Sequence, residues 1–170
     1  MDRVTTENEL LKWVEDLAKV ESNCIGFVPR IAYKQALARE RLMIVADGEE
    51  LVGFAFWGRG RQELKDSISI YQMAVVNTHR RLKYGIDLLR GISHHPATYD
   101  RQFFRCTCRQ GIAANDFWRH IGLTHVATKV QTGERGWHSN LYIGPIRPTE
   151  MLPLKLQPPQ ISLPIRLSRG

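Results

Sequence analysis

The stretch Arg80-Arg81-Leu82-Lys83-Tyr84-Gly85 constrains the fold of this chain more than any other. It is a basic turn, ended by glycine, between two runs of different hydrophobic period. Upstream, Ile68, Ile70, Met73, Val75 and Val76 make an apolar, strand-like run. Downstream, Ile86, Leu88, Leu89 and Ile92 recur at helical spacing. A strand that feeds a helix through a short turn leaves the first helical N–H groups without intrahelical partners. With the helix dipole and the side chains of Arg80, Arg81 and Lys83 beside them, these donors suit an anion, and a pyrophosphate in particular.

The segments around this unit read as an α/β domain. Thr6-Glu7-Asn8-Glu9 fits a capping box, and Leu10, Trp13, Val14, Leu17 and Ala18 follow at helical spacing, so a helix is expected over 6–20. A loop through Asn23, Cys24 and Gly26 leads to Pro29, which suits the first turn of a second helix running to Glu40. Leu42 to Ala46 reads as a buried strand, Asp47-Gly48 as a hairpin turn, and Leu51 to Trp57 as the return strand. A polar loop from Gly58 to Gln62 follows. The next strand alternates over Ser67–Tyr71 and then changes register into Met73, which predicts a β-bulge. After the basic turn and its helix come a strand at 103–108, a short helix at 112–121 ended by Gly122, and strands at 124–131 and 138–143 joined by a turn at Gly133–Gly136. The sheet is expected to be mixed, antiparallel at its start and end and parallel near its middle.

From Pro145 the composition shifts to prolines alternating with leucine and isoleucine. We expect a domain over 1–144 and a Pro-rich extended arm over 145–170. The arm's apolar residues, Leu152, Leu154, Leu156, Ile161, Leu163, Ile165 and Leu167, are expected to pack on the domain or on a second subunit, which would give a homodimer.

Lys and Arg total 24 against 17 Asp and Glu, a formal charge of +7 that favours acidic partners: nucleic acid, a polyphosphate cofactor or an acidic surface. Cys24, Cys106 and Cys108 are too few and too irregular for a disulfide framework, so they are read as reduced thiols of a cytoplasmic protein. No run is apolar and long enough to cross a membrane, and no secretory leader is evident at Met1–Glu7. His79, His94 and His95 with the strand cysteines match no metal-binding spacing.

The chain resembles the Gcn5-related N-acetyltransferases, the GNAT family, over about residues 6–144. Three features carry the resemblance: the element order with its hairpin, central strand, basic turn and helix; the acyl-CoA loop, with Arg80 first, Lys83 third and Gly85 last; and the later helix ending Ala114, Phe117-Trp118, Gly122-Leu123. It implies a mostly antiparallel sheet splayed at its centre and flanked by helices. It also implies direct transfer of an acetyl group from acetyl-CoA to an amine. Met73 and Val75 on the strand, Arg80, Arg81, Leu82, Lys83, Tyr84, Gly85 and Ile86 at the turn, and Asn115 and Trp118 on the later helix are then expected to contact the co-substrate. A bulge near Met73–Val75 is expected to open the sheet, with the Val75 N–H polarising the acetyl carbonyl.

Three positions depart from the family pattern. Lys83 replaces the middle glycine and is expected to keep an ordinary backbone conformation. Trp118 stands where many members carry a tyrosine that protonates the leaving thiolate, and an indole N–H is no acid at neutral pH. Gly111 stands where many carry an asparagine near the pantetheine, with Asn115 as a displaced substitute. Tyr71 and Gln72, expected on opposite faces of the central strand, and Glu63, with Asp66 and His138, are the candidates for the acceptor site and its proton traffic. Alternatives from the same residues are a non-catalytic GNAT-like module binding nucleic acid or a protein, and a GNAT-type enzyme modifying nucleic acid. Arg59 and Arg61 suggest an acidic or phosphate-bearing acceptor.

Overall fold

The computed structural model describes residues 6–130 and 138–146, except the side chain of Glu63. Helix α1 (Glu7–Val20) starts at the capping box: the Thr6 hydroxyl accepts from the Glu9 N–H at 3.2 Å, and the Glu9 carboxylate accepts from the Thr6 N–H at 2.8 Å. A single turn, α2 (Ser22–Ile25), occupies what the sequence reads as loop and ends at Gly26, whose φ of 74° suits a residue without a Cβ. Helix α3 (Arg30–Ala38) follows Pro29. Strands β1 (Leu42–Asp47) and β2 (Glu50–Arg59) form the hairpin. Then come β3 (Ser67–Val75), α4 (Tyr84–Ser93), β4 (Phe103–Arg109), α5 (Ala114–His120), β5 (Thr124–Val130) and β6 (His138–Pro145).

The six strands lie in the order β1-β2-β3-β4-β6-β5. Every neighbouring pair is antiparallel except β3–β4, which is parallel. That pair is hydrogen-bonded only from Ser67↔Phe103 to Ile70↔Cys106. Beyond it, β3 runs on to Val75 and β4 to Arg109 unpaired with each other, so the sheet forks at its centre.

The fork has a local cause. Phe56 pairs with Gln72 but Trp57 pairs with Ile70, which leaves Tyr71 as the extra residue of a bulge. The bulge therefore sits at Tyr71, earlier than the Met73–Val75 position expected from sequence. An extra residue bends its strand and increases its twist. It turns β3 from β4 at the residue after their last pair.

Each sheet face carries its own core. On one face Leu10, Leu11, Val14, Tyr33, Phe54 and Ala74 pack between α1, α3 and the sheet. On the other, Trp57, Ile68, Leu89, Ile92, Phe104, Trp118 and Tyr142 pack beneath α4 and α5. Each large side chain buried this way contributes roughly 1.5–3 kcal/mol. Pro145 pairs with Phe103 at the end of β6, and Ile146 is buried in the second core, so the packed body reaches past residue 144. The expected turn at Gly133–Gly136 and the arm from 147 to 170 lie outside the described residues.

Candidate active site

The basic turn crosses from the end of β3 to α4. Asn77–His79 form a 3-10 turn, Arg80 is extended, and Arg81 and Lys83 take φ of 65° and 72°. Lys83 is thus left-handed, contrary to the ordinary conformation expected of a lysine in the glycine position. The conformation costs about 1–2 kcal/mol at a non-glycine residue, and the surrounding turn imposes it.

This backbone leaves a run of donors open. His79 and Arg80 N–H groups close the 3-10 turn, and Ile86 and Asp87 donate to the Lys83 carbonyl. Between them, the N–H groups of Arg81, Leu82, Lys83, Tyr84 and Gly85 have no hydrogen-bond acceptor among the described residues. Five successive open donors at a helix start, in a turn with left-handed residues, are the kind of arrangement that suits an anion. The Leu82 and Lys83 side chains are exposed beside it. Ile86 instead turns into the core. Arg80 is spent on the scaffold: its guanidinium pairs with Glu21 at the end of α1 and donates to the Val75 carbonyl at 3.3 Å. Tyr84 turns to the β1–β2 hairpin, with its ring 5.9 Å from His79, and desolvation and then the nearby Asp47 raise its hydroxyl pKa.

The fork opens next to this turn. The Val76 N–H donates to Val52 on β2 at 2.8 Å. Strand alternation then points the Val75 and Met73 backbone groups to the opposite edge, which faces the gap left by β4. Arg80 reaches the Val75 carbonyl from that side. Gly85 closes the far wall: a Cβ there would lie 3.1 Å from the Phe117 ring and 3.7 Å from the Met73 methyl. The basic turn, the strand edge and α5 thus come close together at Gly85. Phe117, read from sequence only as part of an aromatic pair, is the side chain that joins them.

Other expected site residues are held by the fold. Asn115 is buried; its amide donates to the carbonyls of Arg109 at 2.8 Å and Ile112 at 2.9 Å and accepts from Asn140 at 3.0 Å and Tyr142 at 2.8 Å. All its polar capacity is used inside. Trp118 lies in the core against Phe117, their ring centroids 5.1 Å apart. Burial pushes the Cys108 thiol up to about 11 and raises Cys106 further, so both are neutral packing groups.

Gln72 is buried too, accepting from the Tyr33 hydroxyl and donating to the Ile25 and Gly26 carbonyls at 3.1 and 3.0 Å. It ties the α2–α3 loop to the sheet. Tyr71 and Gln72 do not face opposite sides as expected. The Tyr71 ring lies 5.0 Å from that of Phe56, tilted by 54°, and Phe56 and Gln72 both contact Tyr33, because the bulge places two consecutive side chains on the α1–α3 face. Tyr71 is 52% exposed and sits where β3 and β4 part. Glu63 lies in a 3-10 turn, Gln62–Leu64, between β2 and β3; Asp66 precedes β3, and His138 is exposed at the start of β6. Among the described residues no cluster of metal-ligating side chains forms, and no helix is long and apolar enough to cross a membrane.

No protein-family model and no curated protein sequence matches the chain. Solved structures do match it in shape. Ard1 from Thermoplasma volcanium superposes with a TM-score of 0.68 at 14% identity, covering 79% of this chain and 90% of that one. The ribosomal-protein-alanine N-acetyltransferase from Brucella melitensis gives 0.67 at 18% identity, with 84% and 98% covered. The diaminobutyrate acetyltransferase EctA from Paenibacillus lautus, solved with L-2,4-diaminobutyric acid and coenzyme A, gives 0.65 at 17% identity, with 83% and 92% covered. With its forked mixed sheet and the open-amide turn beside the fork, the chain has the fold of the GNAT acetyltransferases.

Proposed function

We propose that the chain is an acyl-CoA-dependent N-acyltransferase that uses acetyl-CoA and a small amine. The observation that carries this reading is the run of unpaired N–H groups from Arg81 to Gly85, set beside the gap between β3 and β4. The donor set fits a pyrophosphate, and the gap opens onto the free strand edge at Met73 and Val75. Bound acetyl-CoA supplies an activated thioester: the amine nitrogen bonds to the acetyl carbon as the C–S bond breaks, and the proton lost by the amine balances the one the thiolate takes up.

The residues of this chain orient and polarise. The amides of residues 81–85 and the Lys83 ammonium hold the diphosphate, and the Val75 N–H is the donor placed to bear on the acetyl oxygen. Arg80, tied to Glu21 and to the Val75 carbonyl, fixes the strand end relative to the turn. With Gln72 occupied by the fold, Tyr71 is the one remaining strand residue of the expected acid–base set that is exposed at the fork. A water chain along Tyr71 is the route we assign to the amine proton.

A second reading, a GNAT-like module that binds but does not turn over, is favoured by one observation. Trp118 fills the tyrosine position and is buried against Cys108, so no hydroxyl acid stands there. Release of free CoA from acetyl-CoA, measured across a panel of small amines, peptides and nucleic acids, separates the two. Turnover with one acceptor class supports the enzyme. Tight acetyl-CoA binding with no CoA release from any acceptor supports the module. Gly85→Pro removes a donor from the cradle, so undiminished acetyl-CoA affinity in that variant refutes the placement of the cofactor.

A further inference from the structure

On the α1–α3 face, beyond the edge of α3, the sheet carries an open cavity of about 680 Å³. Ala32, Gln35 and Ala36 of α3 form one wall, Phe56, Gly58, Ser69 and Tyr71 the floor, and the loop after β2 the other wall. The Tyr71 ring lies across Gly58, where a Cβ would come within 2.8 Å of it. Since Tyr71 follows the last β3 residue paired with β4, one end of this cavity lies at the fork.

Six arginines line the cavity: Arg39, Arg41, Arg59, Arg61, Arg101 and Arg105. None of the described lining residues is acidic. Asp100 serves two of the six, at 2.5 Å from Arg59 and 3.4 Å from Arg101. The Arg101 Nε is buried and makes no hydrogen bond. Arg41 lies over the Trp57 ring at 4.3 Å. Arg39, Arg61 and Arg105 have no ion pair or side-chain hydrogen bond among the described residues. Arg41 also lies 3.4 Å from the His95 Nδ1, and burial and then the charge of Arg59 lower its pKa while the Glu40 carboxylate acts against them. Arg39, Arg59 and Arg61 are exposed at the rim, whereas Arg41, Arg101 and Arg105 are half-buried; the half-buried guanidiniums are held there at a cost that a bound anion relieves.

We infer that this cavity holds the anionic part of a phosphate-bearing small-molecule acceptor, with its amine presented at the fork beside Tyr71. The inference rests on the transferase reading given above, whose acceptor it specifies. Several uncompensated guanidiniums favour a phosphate, with three charged oxygens, over a single carboxylate. The volume is that of a small-ligand site, walled by α3 and the 58–66 loop, and not that of a track for a polymer.

The test is calorimetric titration of inorganic pyrophosphate into the full chain already saturated with CoA, so that the turn at 81–85 is occupied. The wild type is expected to bind saturably. The Arg61→Gln/Arg105→Gln variant, which removes two unpaired cations, should bind at least about tenfold more weakly, with CoA affinity held within about twofold. Equal pyrophosphate affinity in both proteins, or none in either, overturns the inference. Tighter binding of succinate than of pyrophosphate, with the same arginine dependence, overturns the phosphate assignment, and tighter binding of a single-stranded oligonucleotide overturns the small-molecule assignment. Arginine-dependent pyrophosphate binding by a protein that fails to bind CoA supports the anion cavity and defeats the transferase reading, so the two failures are distinguishable.

Discussion

Lys83 gives the sharpest test of the turn. Its φ of 72° places a residue with a Cβ in the left-handed region at the N-cap of α4. The conformation costs about 1–2 kcal/mol, which glycine avoids. Glycine forfeits about 0.4–1 kcal/mol through the greater freedom of its unfolded chain. Taken at the middle of both ranges, the difference predicts that Lys83→Gly is more stable than Lys83→Ala by about 0.5–1 kcal/mol. For a domain of this size each kcal/mol moves Tm by about 2–4 °C, so the pair should differ by about 1–4 °C. Both variants lose the same ammonium, so the comparison cancels the charge and isolates the backbone. The assay is paired thermal and denaturant unfolding, read as a shift in midpoint at constant slope. A Lys83→Ala protein as stable as Lys83→Gly, or more so, refutes the left-handed assignment and with it the shape of the donor cradle. In the same pair, acetyl-CoA affinity should fall equally, since the lost charge is common to both.

Other predictions follow from single contacts. Gly85→Val should cost about 1–3 kcal/mol by overpacking, since even a bare Cβ lies 3.1 Å from the Phe117 ring; Phe117→Ala in the same chain should recover most of that loss in urea unfolding. Asn115→Ala strands two carbonyls, Asn140 and Tyr142, and should destabilise by about 2–4 kcal/mol, while CoA affinity measured on the folded fraction changes little; a loss of affinity without a loss of stability would return Asn115 to the cofactor site. Burial raises the Tyr33 hydroxyl to about 12 and the Cys108 thiol to about 11, so the folded state holds these protons more tightly than the unfolded chain. Their contribution to stability is complete below pH 9 and is lost as pH rises through about 11 and then about 12; Tyr33→Phe should flatten the upper part of that fall, measured as unfolding midpoint against pH. A thiol reagent should label the exposed Cys24 quickly, and Cys106 and Cys108 only at the rate of unfolding, as mass spectrometry of the labelled peptides will show.

Much of the architecture was legible because it is written locally. The capping box at Thr6 and Glu9, the helical spacing of Leu10 to Ala18, the Asp47-Gly48 turn and the switch of period at Arg80–Gly85 each depend on neighbours a few residues away. The one-turn helix α2 was missed because four residues carry no period. The register change after Tyr71 was visible as a break in alternation. Its consequence, that Tyr71 and Gln72 share a face, depends on which residue is left without a partner on β2.

The site was less legible, because side chains that carry chemistry in one setting carry structure in another. Asn115, Gln72 and Trp118 were attractive by type; Asn115 and Gln72 are consumed by partners distant in sequence, Asn140 and Tyr142 for the one and Tyr33 and the Ile25–Gly26 carbonyls for the other, and Trp118 is packed into the core. Phe117 could have been singled out, since a glycine at 85 signals a close neighbour. Arg39 and Arg41 flank the short link into β1, and nothing in that link distinguishes them from surface residues.

The chain on its own thus determined the elements, their order, the basic turn and the excess of positive charge, because hydrophobic period, capping and turn chemistry act over a few residues. Only the tertiary structure decided where β3 leaves β4, that Lys83 is left-handed, and that arginines from the α3–β1 link, β2, its following loop, the approach to β4 and β4 itself converge on one cavity. Those outcomes depend on which segments become neighbours across the sheet. That is fixed by packing and strand pairing between parts of the chain tens of residues apart.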